Sequence, residues 1–122
     1  MFQKHSISLA LLLLVTSMIV FAEEEKYTSK YDDINVDEIL ANDKLRHQYL
    51  NCFLETAPCV TADAKYFKGK FPEAFVTKCK KCTEKQEAMF NKISTWYTEN
   101  DPENWEKIVK KALDNAQKDA KV

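Results

Sequence analysis

Cys79-Lys80-Lys81-Cys82-Thr83-Glu84-Lys85-Gln86-Glu87-Ala88-Met89-Phe90-Asn91-Lys92-Ile93-Ser94-Thr95-Trp96-Tyr97 is the stretch that decides the fold. Thr83 and Gln86 stand three apart, the spacing of a capping box, in which each side chain satisfies a backbone N–H at a helix start. Behind them Met89, Phe90, Ile93, Trp96 and Tyr97 recur at helical spacing. The segment therefore predicts a helix to about Asn100, with a pair of cysteines one turn ahead of it.

The same signals repeat outward. Asp101 can cap the next helix, with Pro102 at its first position. Trp105, Ile108, Val109, Ala112 and Leu113 follow on one face. Beyond Asp114 the chain turns polar and is expected to fray. Upstream, Asn35 with Glu38 predicts a short helix bearing Ile39 and Leu40. A second, from about Asp43, carries Leu45, Tyr49, Leu50, Phe53 and Leu54, and ends at Pro58 and Cys59. Thr61 can cap a third with Ala64, Phe67 and Phe71 inward. Pro72 is expected to interrupt that helix and start a new turn carrying Phe75 and Val76, because the residue before a proline avoids helical geometry. Residues 23–34 read as an extended, charged arm with Tyr27 and Tyr31. One glycine and three prolines in 122 residues leave too few turn signals for a β domain, and exclude glycine-rich phosphate loops. The expectation is an all-α, single small domain of five to six helices.

Residues 1–22 read as a signal peptide. Lys4 and His5 precede an apolar run from Ile7 to Phe21, Val20 and Ala22 suit a peptidase, and three glutamates follow. The run is shorter than the roughly 20 residues that span a bilayer, and no second apolar run is long enough, so no membrane span is expected. Residues 23–122 would then form one secreted, extracellular domain. A formal net charge of −1 argues against a nucleic-acid partner, which calls for a strongly basic face. His47 is the lone histidine after the leader, so schemes needing two are excluded. No enzymatic activity, cofactor or metal is expected.

Four cysteines spaced C-x6-C-x19-C-x2-C allow three pairings. Helix geometry already holds Cys52 near Cys59 and Cys79 near Cys82, which favours local bridges. Loop entropy makes rings of about eight and four residues worth only roughly 2 to 2.5 kcal/mol each. Zinc prefers paired C-x2-C knuckles, which C-x6-C matches poorly. A redox site would use Cys79 and Cys82, with Lys80, Lys81 and the helix N-terminus lowering a thiolate pKa, yet no βαβ pattern surrounds it. Two readings remain for the aromatic stripes: an ordinary core, or an apolar slot that short aromatic helices cannot close. Likewise Lys65, Lys68, Lys70, Lys78, Lys80, Lys81 and Lys85 form either a solvated face or a mouth for an acidic head group.

Tyr27-Thr28-Ser29-Lys30-Tyr31-Asp32, Asn35-Val36-Asp37-Glu38-Ile39-Leu40, Cys52-x6-Cys59 and Cys79-x2-Cys82-Thr83-Glu84-Lys85-Gln86, in that order, resemble the insect chemosensory proteins from Tyr27 to about Lys111. The resemblance implies six helices around an apolar channel, neighbouring disulfides Cys52–Cys59 and Cys79–Cys82, and binding of long-chain alcohols, acids, esters and other hydrophobic semiochemicals. It implies that Tyr49 guards the channel and that Trp105 lies against it. Three departures stand out. Val60 lengthens the middle interval by one, Ala64 replaces a common glycine, and the family's Tyr-Asp-Pro turn with its aromatic, basic last helix is missing after Leu113. The expected function is a monomeric carrier enclosing a small hydrophobic ligand between Tyr31, Ile39, Leu45, Tyr49, Phe53, Phe67, Phe71, Phe75, Ile93, Trp96 and Trp105. The alternative is a secreted protein-interaction module with a filled core, engaging an extracellular protein partner through the lysine-rich face.

Overall fold

The computed structural model describes residues 25–120; the leader expected at 1–22 lies outside them. Five helices are present among the described residues: α1 (Val36–Ala41), α2 (Asp43–Phe53), α3 (Ala62–Val76), α4 (Glu84–Asn100) and α5 (Pro102–Ala120). Each start is capped by the residue its chemistry suggests. Asn35 Oδ1 accepts from the Glu38 N–H at 3.0 Å, Asn42 Oδ1 from Leu45 at 3.0 Å, and Thr61 Oγ1 from Ala64 at 3.2 Å. The Thr83/Gln86 box closes in both directions.

Two expectations fail at helix ends. Pro72 does not interrupt the third helix; α3 runs unbroken through it to Val76. A mid-helix proline costs about 3 kcal/mol, and packing offsets this: Pro72 and Ala74 are buried, and Phe71 and Phe75 are both held in an aromatic cluster. Nor does the last helix fray at Asp114, since α5 continues to Ala120. Ala116, Gln117 and Lys118 are good helix formers, and Asn115 and Ala116 stay half-buried.

The helices form a closed circuit. α1 packs on α2, α2 on α3, α3 on α5, α5 on α4, and α4 back on α1, with α2 also touching α5. The helices α3 and α4 face one another without backbone contact. Only side chains span that gap: Phe71 stacks on Phe90 at 5.6 Å between centroids, and Phe75 meets the same ring at 6.4 Å. A circuit of amphipathic helices buries its stripes inward, but rings reaching across a gap do not fill it to crystal density. Val36, Leu40, Leu50, Tyr97 and Ile108 form the buried core on the side where α1, α2, α4 and α5 meet.

Both cysteine pairs are bonded locally, with Cα atoms 4.7 Å apart for Cys52–Cys59 and 4.9 Å for Cys79–Cys82. The second pair anchors the arm. The Tyr27 N–H donates to the Lys81 carbonyl at 2.8 Å. Gln86, buried at the head of α4, gives both amide hydrogens to the arm, to the Thr28 carbonyl at 2.8 Å and Asp32 Oδ1 at 2.9 Å.

Candidate functional site

Inside the circuit is a cavity of about 150 Å³ in which the centre of a water-sized body can move. That is roughly ten times the space one enclosed water needs by the same measure. Every helix and the arm contribute to its wall. The arm supplies Tyr27 and Ile34; α1 supplies Val36, Ile39 and Leu40; α2 supplies Arg46, Tyr49, Leu50 and Phe53. From α3 come Tyr66, Phe67, Lys70, Phe71 and Ala74, from α4 Gln86, Met89, Phe90, Ile93 and Tyr97, and from α5 Trp105 and Ile108. Cys79 and Cys82 complete it.

Of the residues expected to enclose a ligand, Ile39, Tyr49, Phe53, Phe67, Phe71, Ile93 and Trp105 stand in this wall. Tyr31, Leu45, Phe75 and Trp96 stand behind it. Tyr31 packs on Tyr66 and Phe67 from outside, at 5.2 and 6.3 Å. Phe75 braces Phe71 and Phe90, Trp96 braces Tyr97, and Leu45 is half-buried near the start of α2. Periodicity gives the face of a helix but not the depth of a residue on it. The same limit hid Leu40, Leu50 and Ile108, which read only as apolar-face residues, while no stripe singled out Val36 or Ala74. Arg46 and Lys70 were legible only as charges, although long stems let such residues line apolar walls.

Two wall tyrosines are tied down at the hydroxyl. Tyr49 donates to Asp63 Oδ2 and Tyr27 to Glu73 Oε1, the latter at 2.6 Å. Burial, and then the hydrogen bond to Asp63, push the Tyr49 hydroxyl up to about 12. The Tyr27 hydroxyl is raised well above its ordinary value by burial and by Glu73. Burial alone would raise the Asp63 carboxyl, but bonds from Thr61 and Tyr49 hold it below the usual range. Each latch thus pairs a neutral phenol with an ionised carboxylate at neutral pH, and pins a ring into the wall. Tyr97 receives no such tie. It stacks on Trp105 at 6.1 Å and touches Trp96 at 5.0 Å. Arg46 lies 4.5 Å over the Trp96 ring and donates to the Leu40 carbonyl at 2.6 Å and to Asp43 Oδ1 at 2.8 Å.

The lysine-rich stretch is largely engaged with its own chain. Lys68 pairs with Glu55 at 2.8 Å and Lys81 with Glu73 at 3.5 Å, and Lys70 lies over the Tyr27 and Tyr66 rings. The surface of this wall is almost wholly apolar. What it can do is take apolar matter out of water.

Residues 27–120 match the insect pheromone-binding family A10/OS-D. The chain belongs to that family. Among relatives of this A10/OS-D chain, ejaculatory bulb-specific protein 3 of Drosophila melanogaster is 40% identical over 98 residues, covering 80% of this chain and 77% of the relative. Allergen Tha p 1 of Thaumetopoea pityocampa is 35% identical over 104 residues, covering 84% and 82%. A solved chemosensory protein in complex with bromo-dodecanol superposes with a TM-score of 0.69 at 38% identity, covering 79% of this chain and 95% of that one. The all-helical fold with two local disulfides is therefore that of the chemosensory proteins. No helix among the described residues is long and apolar enough to cross a membrane.

Proposed function

We propose that this protein is a secreted, monomeric carrier that holds a long-chain alcohol, fatty acid, ester or similar apolar molecule in the central cavity, without chemistry and without a cofactor. Residues 1–22 would direct its export and be removed. The observation that carries the reading is the cavity, walled by five helices and the arm and almost wholly apolar. A filled core, which the protein-interaction alternative requires, has no such space. The family to which the chain belongs, and the bromo-dodecanol held by a related chemosensory protein, support the same reading.

The hollow as it stands has the volume of a benzene-sized group. A longer chain must displace wall side chains, and Met89 and the unbonded rings of Phe53, Phe71 and Phe90 are able to repack. Each methylene buried contributes about 0.8 kcal/mol, so ten to twelve give about 8 to 10 kcal/mol before the several kcal/mol of lost freedom are subtracted. About 4 to 6 kcal/mol then remains, an affinity of tens of micromolar to about a millimolar, rising with chain length until the space is full.

The test is tryptophan fluorescence during titration with decanol. Trp105 is in the wall and Trp96 behind it, so quenching should survive Trp96→Phe and vanish in Trp105→Phe. Ala74→Phe, which places a ring in the cavity, should weaken decanol more than tenfold with the helical circular dichroism intact. Unchanged decanol affinity in that variant would sink the proposal.

A further inference from the structure

We propose that Arg46 and Tyr97 form the seat for the polar head of the carried molecule, donating hydrogen bonds to an oxygen acceptor (a hydroxyl, an ester carbonyl or a carboxylate) at the end of an apolar chain. The inference rests on the carrier reading and adds to it which end of the ligand lies where.

The carrying observation is the Tyr97 hydroxyl. Tyr97 is 5% exposed and stands in the cavity wall, yet its hydroxyl makes no hydrogen bond to any described residue. A buried phenol ordinarily finds a partner, because leaving one without is costly. Every side-chain oxygen or nitrogen sealed off among the described residues does have a partner, so this hydroxyl is not sealed: it borders open space. Tyr97 is thus a donor held in place by stacking on Trp105 and Trp96, with its bonding capacity unspent.

Arg46 supplies the second half. Its side chain is 15% exposed and clamped over Trp96. Two of the five N–H groups of a guanidinium are engaged, by Leu40 and Asp43, which leaves others for a ligand. Its charge reaches the Tyr97 hydroxyl, where it opposes the rise that burial causes. Both residues stand in the same wall and both meet the Trp96 ring. Although Asp43 bonds Arg46 and the Asp101 charge reaches Tyr97, their unspent donors suit an oxygen that carries partial or full negative charge.

The Tyr66 hydroxyl and the Trp105 N–H in the wall are also without a hydrogen bond among the described residues, but both residues are only half-buried where Tyr97 is buried. The other polar groups are poorer seats. The hydroxyls of Tyr49 and Tyr27 are spent on Asp63 and Glu73. Gln86 is engaged at both ends, since its Oε1 also accepts from the Thr83 N–H. Lys70 is exposed, so water competes for it. At Arg46 and Tyr97 water is largely excluded, which strengthens a hydrogen bond to the head group.

The experiment compares decanol, decanoate and decane by displacement of a fluorescent naphthylamine probe from the whole secreted chain and its variants. Tyr97→Phe removes only the hydroxyl, and its melting temperature should match the wild type because no protein bond is lost. In that variant the ratio of decanol to decane affinity should fall about two- to tenfold, the weight of one hydrogen bond. Arg46→Met should lower the decanoate-to-decane ratio by more, and its folding is checked by circular dichroism. If all three ligands displace the probe and both ratios stay at the wild-type value, the seat is elsewhere while the carrier reading stands. If none displaces it from the wild type, the carrier reading fails and the seat falls with it.

Discussion

The two sulfur-closed corners of this protein use one local device in opposite surroundings. α2 ends with Glu55 in the left-handed region (φ 60°), the Glu55 N–H on the Cys52 carbonyl at 3.1 Å and the Thr56 N–H on the Asn51 carbonyl at 2.9 Å. α3 ends the same way, with Lys78 at φ 55°, its N–H on Phe75 at 3.4 Å and the Cys79 N–H on Ala74 at 2.8 Å. Both are Schellman closures, whose left-handed residue is usually glycine; the chain's single glycine is Gly69, inside α3. Beyond this the corners part. Cys52 is 1% exposed and packs against the Ala64 backbone, while Glu55 is gripped by Lys68 at 2.8 Å and Lys111 at 2.7 Å. That corner joins α2, α3 and α5 into a frame. Cys79 and Cys82 instead line the cavity and lie under the arm. Closures with the same hydrogen-bond pattern, the second carrying a further left-handed residue in Cys79 (φ 62°), therefore serve as joint in one place and as wall in the other, and the residues around them make the difference.

Removing each bridge should separate joint from wall. The Cys52→Ala/Cys59→Ala pair should cost the most, about 3 kcal/mol by urea unfolding: about 2.5 kcal/mol of loop entropy plus packing lost at Cys52. Decanol affinity should change little once the data are corrected for the unfolded fraction. Cys79→Ala/Cys82→Ala should cost about 2 kcal/mol, yet weaken decanol several-fold, because the arm bearing Tyr27 and Ile34 loses its footing. Equal effects on binding would erase the distinction between the corners.

Substitution by glycine sharpens the comparison at smaller scale. Lys78→Gly relieves a left-handed residue and should stabilise by about 1 kcal/mol. Glu55→Gly gains the same relief but loses both lysine pairs, so its net effect in thermal unfolding should be closer to zero. The smallest effect is expected from pH. Bonds from Lys111 and then Lys68 hold the Glu55 carboxyl at about 2, below its ordinary 4.5. The stability it contributes is present above about pH 4.5 and is lost as the pH falls toward 2. Glu55 is partly exposed, so the contribution is under about 1 kcal/mol. Glu55→Gln should flatten the acid limb of stability by that amount, and Glu73→Gln should flatten it in the same direction, because Tyr27 and then Lys81 also hold the Glu73 carboxyl below its ordinary value.

Chain-local chemistry was legible from the start. Asn35, Thr61, Thr83 and Asp101 cap where their side chains suggest, and the cysteines pair with their neighbours because helix ends already bring them together. The C-terminal run of α5 lacks apolar residues that would mark it as helical, although alanine, glutamine and lysine need little packing to stay helical once a helix is docked. Pro72 shows the converse: its local cost is real, but its own burial and that of Ala74, with the aromatic contacts of Phe71 and Phe75, outweigh it.

By itself the sequence determined an all-helical domain, its capped starts, its two small rings and the apolar face of each helix, because each depends on residues a few positions apart. Only the tertiary structure decided which rings of those faces are wall and which are buttress: Trp105 against Trp96, Phe71 against Phe75. It alone left the Tyr97 hydroxyl unbonded in the same wall as Arg46, since depth and the company a side chain keeps are set by helices that meet from opposite ends of the chain.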